Sequence, residues 1–403
     1  MATTSTVPTP VAAVLRDDAD ALVQARRQAD SFAVEAADRD RERRIPRAEL
    51  GELSASGLLA ATVPADHGGA DVGTRTLLEV FRLLAAADPS IAQIPQSHFA
   101  YVNVLRESAT PEQQEFFFAE VLAGKRFGNA QSENGSRTAQ DIQTRLRPTG
   151  DGGFALNGTK GYSTGALLAH WIPVLAKDDS DRLQVAYVPR DADGVTVIDD
   201  WAGMGQRTTA SGTVELDDVR VPAERIVPHH LTFQRPQLHG ALAQALHAAI
   251  DVGIAGGALA DAAEFVRTRS RPWGEAGVDT AAEDPLTIQR FGELGIRLRA
   301  AEALLDSAGA AIDDARADLT EDSAGAASIA VAAAKAFADT TAIELTNALF
   351  EVSGARSSLD SANLHRHWRN ARTHTLHDPV RWKIQHIGRH TLNGTLPPRH
   401  GQI

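Results

Sequence analysis

Cysteine is absent from the 403-residue sequence. This absence excludes disulfide bridges, thiolate metal sites and nucleophilic thiols, so any redox chemistry must come from a bound cofactor. Basic residues are in deficit, with 40 Lys and Arg against 52 Asp and Glu and a net charge of −12. Because nucleic-acid phosphates are bound by an excess of Lys and Arg, nucleic acid is not an expected partner.

The sequence also lacks an evident membrane or export signal. No apolar run approaches the roughly 18 residues that are needed to span a bilayer. The polar stretch 1–10, rich in Pro and Thr, has no basic-then-apolar signal pattern. We therefore expect a soluble, cytoplasmic protein without a membrane partner, in which residues 1–10 are disordered.

Residues 11–124 have the pattern of an α-helical domain. Apolar residues recur at spacings of three and four, as in Leu77 and Phe81, which is typical of helices with one buried face. Thr110 and Gln113 stand at the positions of a capping box, with a proline between them at the first helical position. This pattern predicts a helix that begins just after Thr110.

The residue pattern changes twice along the chain, at about residues 125 and 229. Residues 125–228 consist of short β-prone runs separated by turn pairs such as Asn157-Gly158, which predicts a compact antiparallel barrel or sandwich. Residues 229–403 are helical again and rich in alanine, which predicts long antiparallel helices in a four-helix bundle. The sequence therefore predicts an α+β multidomain chain.

Two motifs in this order carry a family resemblance. Residues 61–69 read ATVPADHGG, and residues 203–211 read GMGQRTTAS before DDVRVP at 217–222. Together with the order of textures, they resemble the acyl-CoA dehydrogenase superfamily over about residues 50–396. The resemblance implies an N-terminal helical domain, a middle β-barrel, a C-terminal four-helix bundle and a bound flavin.

The resemblance also implies where the flavin ring lies. In that family the ring sits between the barrel and the bundle, and segments 129–133 and 162–165 match the strands that hold it. Asn129, Gln131 and Ser163 are therefore candidate flavin contacts, because the polar edge of the ring alternates donors and acceptors. The residues alone, without the resemblance, favour a role for Asn129 and Ser163 in satisfying strand ends or turns.

Positive charge for the flavin phosphate is available near the end of the chain. Arg369, Arg372 and His374 precede the last predicted helix, and Arg269 resembles the arginine that the dehydrogenases supply from a neighbouring subunit. Guanidinium groups match phosphate oxygens in geometry. Such arginines can also be solvated helix faces. The family resemblance implies a homotetramer.

Two departures from the dehydrogenases change the expected cofactor and reaction. Asp378, followed by Pro379, stands where many dehydrogenases carry their glutamate base, and a shorter acid on a rigid turn would misplace that base. Residues 350–356 read FEVSGAR, where dehydrogenases have a glycine turn that approaches the adenylate half of FAD. Side chains at these positions favour FMN over FAD.

Histidines are the third departure. His98 and His390, together with Ser163 and the motif RNARTHT at 369–375, resemble the monooxygenase branch of the superfamily, which includes dibenzothiophene monooxygenase-like enzymes and the SfnB sulfur-acquisition group. In that branch a separate reductase supplies reduced flavin (FMNH2), dioxygen adds at flavin C4a, and the hydroperoxide transfers one oxygen. His98, Ser163 and His390 are the predicted catalytic residues.

The leading hypothesis is a two-component, FMN-dependent monooxygenase that acts on a small organosulfur compound during sulfur acquisition. The alternatives are an FAD-dependent acyl-CoA dehydrogenase and a flavin-binding homologue without activity. A histidine could protonate the peroxide because its ordinary pKa lies near 6.5. No metal site is predicted, since His386 and His390 share a helix face without a third ligand at a telling distance.

Overall fold

The computed structural model describes residues 12–138 and 140–403. The stretch 1–10, predicted to be disordered, lies outside the described residues. The helices are α1 Asp18–Ala33, α2 Ala36–Glu42, α3 Arg47–Ala55, α4 Thr74–Ala87, α5 Pro89–Gln93, α6 Gln96–Ser108, α7 Pro111–Leu122, α8 His239–Thr268, α9 Pro285–Ala317, α10 Glu321–Ser353, α11 His365–His374 and α12 Val380–Asn393.

The strands lie between α7 and α8. They are β1 Arg145–Pro148, β2 Phe154–Lys160, β3 Trp171–Lys177, β4 Leu183–Pro189, β5 Val195–Ile198, β6 Thr213–Val221 and β7 Ile226–Val227. The order of helices, strands and helices confirms the predicted α+β fold class. The exact domain boundaries at 124 and 228 remain predictions.

The strand arrangement differs from a closed antiparallel barrel at two points. The seven strands form one sheet in the order β5-β6-β2-β1-β3-β4-β7, and the outer strands β5 and β7 do not pair with each other within the described residues. β1 and β3 run parallel and pair only through Arg145 and Lys177, whereas the other paired strands are antiparallel. The turn chemistry predicted hairpins, but the β1–β3 contact joins strands that are distant in sequence.

Helix starts follow the sequence signals. At α7 the Thr110 hydroxyl accepts from the backbone N–H of Gln113, and the Gln113 side chain accepts from the backbone N–H of Thr110, so the predicted capping box is confirmed. α9 begins at Pro285, and the side chain of the preceding Asp284 caps it by accepting from the backbone N–H groups of Leu286 and Thr287. These caps satisfy N–H groups that have no partner within the helix.

The long helices α8 and α10 form the centre of the C-terminal bundle. Both are long and apolar enough, by length and composition, to cross a membrane, contrary to our expectation from the sequence. In α8, 83% of the apolar window is buried inside the fold, and core helices of bundles meet the same criterion. Small residues such as Gly253 and Gly257 let α8 approach α4 closely, because an added Cβ at either position would collide with the α4 backbone.

Candidate functional site

We call the part of the chain between α7 and α8 the β-section. Three of its backbone segments meet where the flavin ring was predicted. Segment 127–130 bonds to segment 162–165, with the Asn129 N–H donating to the Thr164 carbonyl at 3.1 Å. Segment 162–165 in turn bonds to segment 209–212. The chain thus brings Asn129 and Ser163 together, although 34 positions separate them.

Two polar atoms in this region are buried without a hydrogen-bond partner in the described part of the chain. They are Asn129 Oδ1 and Ser163 Oγ, and Ser163 is only 1% exposed. The amide nitrogen of Asn129 makes one long bond, 3.4 Å, to the Tyr162 carbonyl. Buried polar atoms left unpaired are costly, so this pair is suited to a ligand that carries its own donors and acceptors. The polar edge of a flavin ring has that character.

The same region adjoins the helical part of the chain through α5. An added Cβ on Gly165, whose φ is +73°, would lie 3.0 Å from Ile94, the residue that follows α5. Gln93, the last residue of α5, points into the helical bundle and bonds to His374 and His377. The candidate site therefore lies at the junction of the β-section and the bundle.

The loop 201–207 is attached to α11 at this junction. The Gly205 N–H donates to Thr373 Oγ1 at 3.1 Å, and the Gln206 N–H donates to Asn370 Oδ1 at 2.7 Å. The motif at 203–211, which carries part of the family resemblance, thus folds against the helix that carries the predicted phosphate ligands.

Gly205 has no room for a side chain, because an added Cβ would lie 1.9 Å from the Arg369 carbonyl oxygen. We expect Gly205→Ala to lower the free energy of unfolding by about 1–3 kcal/mol, the usual cost of overpacking. Gly292→Ala in α9 is the matched control, since nothing lies within 4 Å of its added Cβ. Urea unfolding of both variants measures the difference, and equal stability would contradict the close approach.

Arg369 is already paired within the chain. Its guanidinium lies 2.5 Å from Asp40 Oδ2 and donates to the Met204 carbonyl at 2.8 Å and to His365 Nδ1 at 2.9 Å. It lines an open cleft of about 630 Å³. Because its donors bridge α11 to α2 and to the 201–207 loop, we no longer assign Arg369 to the phosphate.

Arg372 and Arg269 remain available. The half-buried side chain of Arg372 makes no hydrogen bond or ion pair with any residue in the described ranges. Arg269 lies at the end of α8 with its guanidinium 5.7 Å from the Phe265 ring, and its carbonyl accepts from Arg356 at 3.2 Å. Among residues 12–138 and 140–403, the contacts of Arg269 do not include Asn129 or Ser163. The side chain of Gln131 is exposed, while its carbonyl accepts from Lys160 at 3.1 Å.

His98 is not suited to the predicted role of proton donor. Its Nε2 bonds to the Leu59 carbonyl at 2.8 Å, and its Nδ1 accepts from the Phe127 N–H at 3.0 Å. Both ring nitrogens are therefore held by backbone groups. Burial lowers the pKa of His98 to about 4, so the ring stays neutral at cellular pH. Its contacts identify it as a link between α6 and the β-section, and we do not retain it as catalytic.

His374 belongs to a group of histidines inside the bundle. His247, His374 and His377, which we call the histidine cluster, present ring nitrogens that all lie within 4.8 Å of one another. His374 is fully buried and bonds through Nδ1 to Asp251 Oδ1 at 2.5 Å and through Nε2 to Gln93 Oε1 at 3.0 Å. His374 is therefore held by protein groups on both nitrogens, which does not favour the predicted cofactor contact.

Charged groups surround the histidine cluster on α8 and α10. Lys335 Nζ lies 2.9 Å from Asp251 Oδ2 and also contacts Asp339. Burial and the neighbouring Asp251 raise the pKa of Asp339 to about 8. The sequence analysis missed His247, Asp251, Lys335 and Asp339. Their spacing was the available sequence signal. His247 and Asp251 stand four residues apart in α8, and Lys335 and Asp339 stand four apart in α10, and both helices are largely apolar.

Asp378 forms a buried ion pair. Lys383 Nζ lies 3.0 Å from Asp378 Oδ2, and both side chains are buried. A carboxylate paired in this way is poorly placed to take a proton from an acyl thioester. His390 lies seven residues beyond Lys383 on the same face of α12, half-buried, with no side-chain hydrogen bond to a described residue.

Comparisons with known proteins agree with this architecture. Family models for the acyl-CoA dehydrogenase N-terminal, middle and C-terminal domains match residues 15–125, 127–219 and 245–382. The dibenzothiophene monooxygenase of Rhodococcus erythropolis is 37% identical over 396 residues, which cover 94% of this chain and 95% of that protein. The chain belongs to the acyl-CoA dehydrogenase family.

Other members of the family refine this placement. A probable FMNH2-dependent monooxygenase, SfnC of Pseudomonas putida, is 32% identical over 94% of this chain and 96% of its own length. The FMN-bound structure of TdsC from Paenibacillus sp. A11-2 superposes with a TM-score of 0.90, at 32% identity, covering 95% of this chain and 100% of that one. The predicted monooxygenase branch and the enzyme class, a flavin-dependent oxidoreductase, are confirmed. These relatives do not test the resemblance to the SfnB group, which stays a prediction.

Proposed function

We propose that this chain is a reduced-FMN-dependent, two-component monooxygenase that transfers one oxygen atom to the sulfur of a small organosulfur compound. The observation that carries the proposal is the pair of buried, unpartnered atoms Asn129 Oδ1 and Ser163 Oγ at the predicted flavin position. The relatives named for FMN and for dibenzothiophene support FMN as the flavin and an organosulfur compound as the substrate.

FMN would be held by residues of three parts of the chain. Asn129 and Ser163 would hold the polar edge of the ring, and Arg372, whose side chain has no partner among the described residues, would attract the phosphate. Bound FMN, once reduced, supplies the two electrons that activate dioxygen. The overall reaction converts the sulfur compound, dioxygen and FMNH2 into the S-oxide, water and FMN, so one oxygen atom enters the product and the other leaves as water.

The chain's own residues would control protons and the position of the ring in this reaction. His390 has the one predicted catalytic imidazole whose nitrogens make no side-chain hydrogen bond in the described part of the chain. A histidine can donate and recover a proton near neutral pH. The Ser163 hydroxyl, which is buried at the candidate flavin site, would orient the reacting edge of the ring.

The proposal includes partners beyond the substrate and dioxygen. A separate flavin reductase would supply FMNH2 in the cytoplasm, as a two-component system requires. A homotetramer would bring Arg269 of one subunit toward the phosphate in its neighbour. Large apolar side chains remain exposed on α9, where Leu286 is 75% and Ile296 71% exposed, and these are suited to burial between copies of the chain.

Flavin titration tests the site. We expect Asn129→Ala and Ser163→Ala each to weaken FMN binding by about tenfold, the equivalent of one hydrogen bond to a buried partner. Fluorescence quenching of FMN measures the Kd. Ser136→Ala is a control in the same loop region, because within the described ranges its hydroxyl bonds to the nearby Glu133 and Thr138 carbonyls. An unchanged Kd in both site variants would remove these residues from the flavin site.

A further inference from the structure

We propose that Lys160 and Glu133 are positioning residues that fix the two sides of the predicted flavin site relative to each other. Asn129, on one side, stands four residues before Glu133. Ser163, on the other side, stands three residues after Lys160, which is the last residue of β2. Lys160 Nζ lies 2.7 Å from Glu133 Oε1, so one ion pair joins the two sides. This assignment rests on the flavin site proposed above and adds to it the charged pair that holds its geometry.

Backbone contacts beside the ion pair hold the same two segments together. Lys160 Nζ also donates to the Gln131 carbonyl at 3.1 Å, and the Gly161 N–H donates to the Ser132 carbonyl at 3.0 Å. An added Cβ on Gly161 would lie 2.5 Å from the side chain of Asn134, so the two segments are in close contact. A shift of either segment at this point would therefore move the ligand groups that lie a few residues further along the chain.

Glu133 is itself fixed by the chain that enters β1. Its Oε2 accepts from the Gln143 N–H at 2.7 Å, and its Oε1 accepts from the Thr144 N–H at 2.9 Å and from the Thr144 hydroxyl at 2.6 Å. Burial opposes the ionisation of Glu133, but hydrogen bonds from Lys160 and Thr144 outweigh it and lower the pKa of the carboxyl. Because several donors hold the ionised carboxylate in place, Lys160 meets a rigid partner.

The stability of the fold alone does not account for this ion pair. The side chain of Lys160 is 0% exposed and that of Glu133 is 6% exposed, and burial lowers the pKa of Lys160 to about 8. An apolar pair of similar size is often as stable as a buried ion pair. What the ion pair adds is a defined geometry. The adjoining Tyr162 has a left-handed φ of +52°, and a non-glycine residue keeps such a backbone only where the surrounding contacts impose it.

A fixed backbone matters here because the two candidate flavin contacts have few partners of their own. Asn129 Oδ1 and Ser163 Oγ are buried without a hydrogen-bond partner in residues 12–138 and 140–403. The Asn129 amide nitrogen makes one long bond, 3.4 Å, to the Tyr162 carbonyl. The backbone on either side must therefore supply the orientation of this pair. A binding site that is ordered before the ligand arrives avoids the cost of ordering it on binding.

A double-mutant cycle on FMN affinity tests whether Lys160 acts through Asn129. Lys160→Met keeps the length of the side chain and leaves Glu133 with its donors from Gln143 and Thr144. We expect it to weaken FMN binding about tenfold, as Asn129→Ala does. Because both substitutions disturb the same contact, the double variant should also bind about tenfold more weakly than the wild type, whereas independent effects would multiply to about 100-fold. Fluorescence quenching of FMN measures the Kd of all four proteins.

A second carboxylate of the β-section provides the matched control. Asp178 is buried and accepts from four donors within the connection between β3 and β4 and the start of β4. Asp178→Asn should leave FMN affinity unchanged. Glu133→Gln keeps the size of the side chain but removes the charge that holds Lys160, so it should weaken FMN binding and lose this effect in the Asn129→Ala background. This variant carries the test if Lys160→Met does not fold.

The outcomes separate the positioning role from the proposed monooxygenase function. Wild-type FMN affinity in folded Lys160→Met and Glu133→Gln, or a full 100-fold loss in the double variant, would overturn the positioning role. An equal loss of affinity in Asp178→Asn would overturn it as well, since the effect would then not be specific to this pair. A wild-type protein that follows the predicted cycle but forms no S-oxide would contradict the monooxygenase function and support the positioning role.

Discussion

Lys335→Met is expected to lower the free energy of unfolding by about 3–5 kcal/mol, because it leaves the buried Asp251 carboxylate without its ammonium partner. Lys335 is 1% exposed and Asp251 is 0% exposed, with their charged atoms 2.9 Å apart. Methionine keeps the length of the side chain, so the lost charge dominates the effect. Guanidinium unfolding followed by circular dichroism at pH 7 measures it.

The direction of the pKa shift sets the pH range of this experiment. The carboxylates beside Lys335 raise its pKa above the ordinary lysine value against the effect of burial. A raised pKa contributes stability below the unfolded pKa, near 10.5, and this contribution is lost only as the pH rises beyond it. The full effect is therefore present at pH 7.

Two comparisons make the Lys335 prediction specific. Arg290→Met removes a half-exposed arginine that pairs with Glu293 and Glu351 on the surface, and it should change stability little. Lys335→Met combined with Asp251→Asn should recover part of the loss, since the uncompensated charge is removed with its partner. A Lys335→Met protein as stable as the wild type would contradict the buried ion pair.

His390→Ala is expected to reduce the rate of substrate oxygenation by about 10²–10⁴-fold, the usual contribution of a positioned proton donor. Reduced flavin would still react with dioxygen, so reductase turnover would end in hydrogen peroxide. The side chain is half-buried and makes no hydrogen bond within the described residues. Folding and FMN affinity should therefore stay close to those of the wild type.

The ratio of S-oxide formed to NADH consumed, with hydrogen peroxide measured in the same reaction, distinguishes a catalytic from a structural role. His386→Ala is the matched control, because it removes a half-buried histidine one turn earlier on α12. We expect this control to keep its coupling ratio. An unchanged ratio in His390→Ala would exclude His390 from the proton-transfer step.

Local signals in the sequence predicted the elements of this fold well. The capping box of Thr110 and Gln113 marks the start of α7, and the change from helical to β-prone texture marks the seven-stranded sheet. Each of these signals spans only a few residues. The parallel β1–β3 contact could not be predicted in this way, since its strands are separated by β2 and a connecting loop.

The site was harder to predict because side-chain roles depend on distant partners. Histidine is a common catalytic residue type, but both ring nitrogens of His98 bond to backbone groups of Leu59 and Phe127. Arginine is a common phosphate ligand, but Arg369 pairs with Asp40, which lies 329 positions away in the sequence. Asn129 and Ser163 were predicted because the family resemblance located their segments, and their contact with the flavin stays a prediction.

The histidine cluster illustrates a signal that could have been used. His247 and Asp251 stand four residues apart in α8, and Lys335 and Asp339 stand four apart in α10. Polar pairs on one face of an otherwise apolar helix are buried only when they meet partners. Their spacing predicts a polar contact between the two helices, although not the involvement of Gln93 or His377.

The proposed function is tested most directly by a reconstituted reaction. Purified protein is combined with FMN, NADH, a flavin reductase and dibenzothiophene or a small sulfide under ¹⁸O₂. We predict S-oxide that carries one ¹⁸O atom, formed only when the reductase and FMN are both present. The absence of labelled product from every sulfur compound, together with acyl-CoA-dependent reduction of an electron acceptor by an FAD-loaded protein, would contradict it.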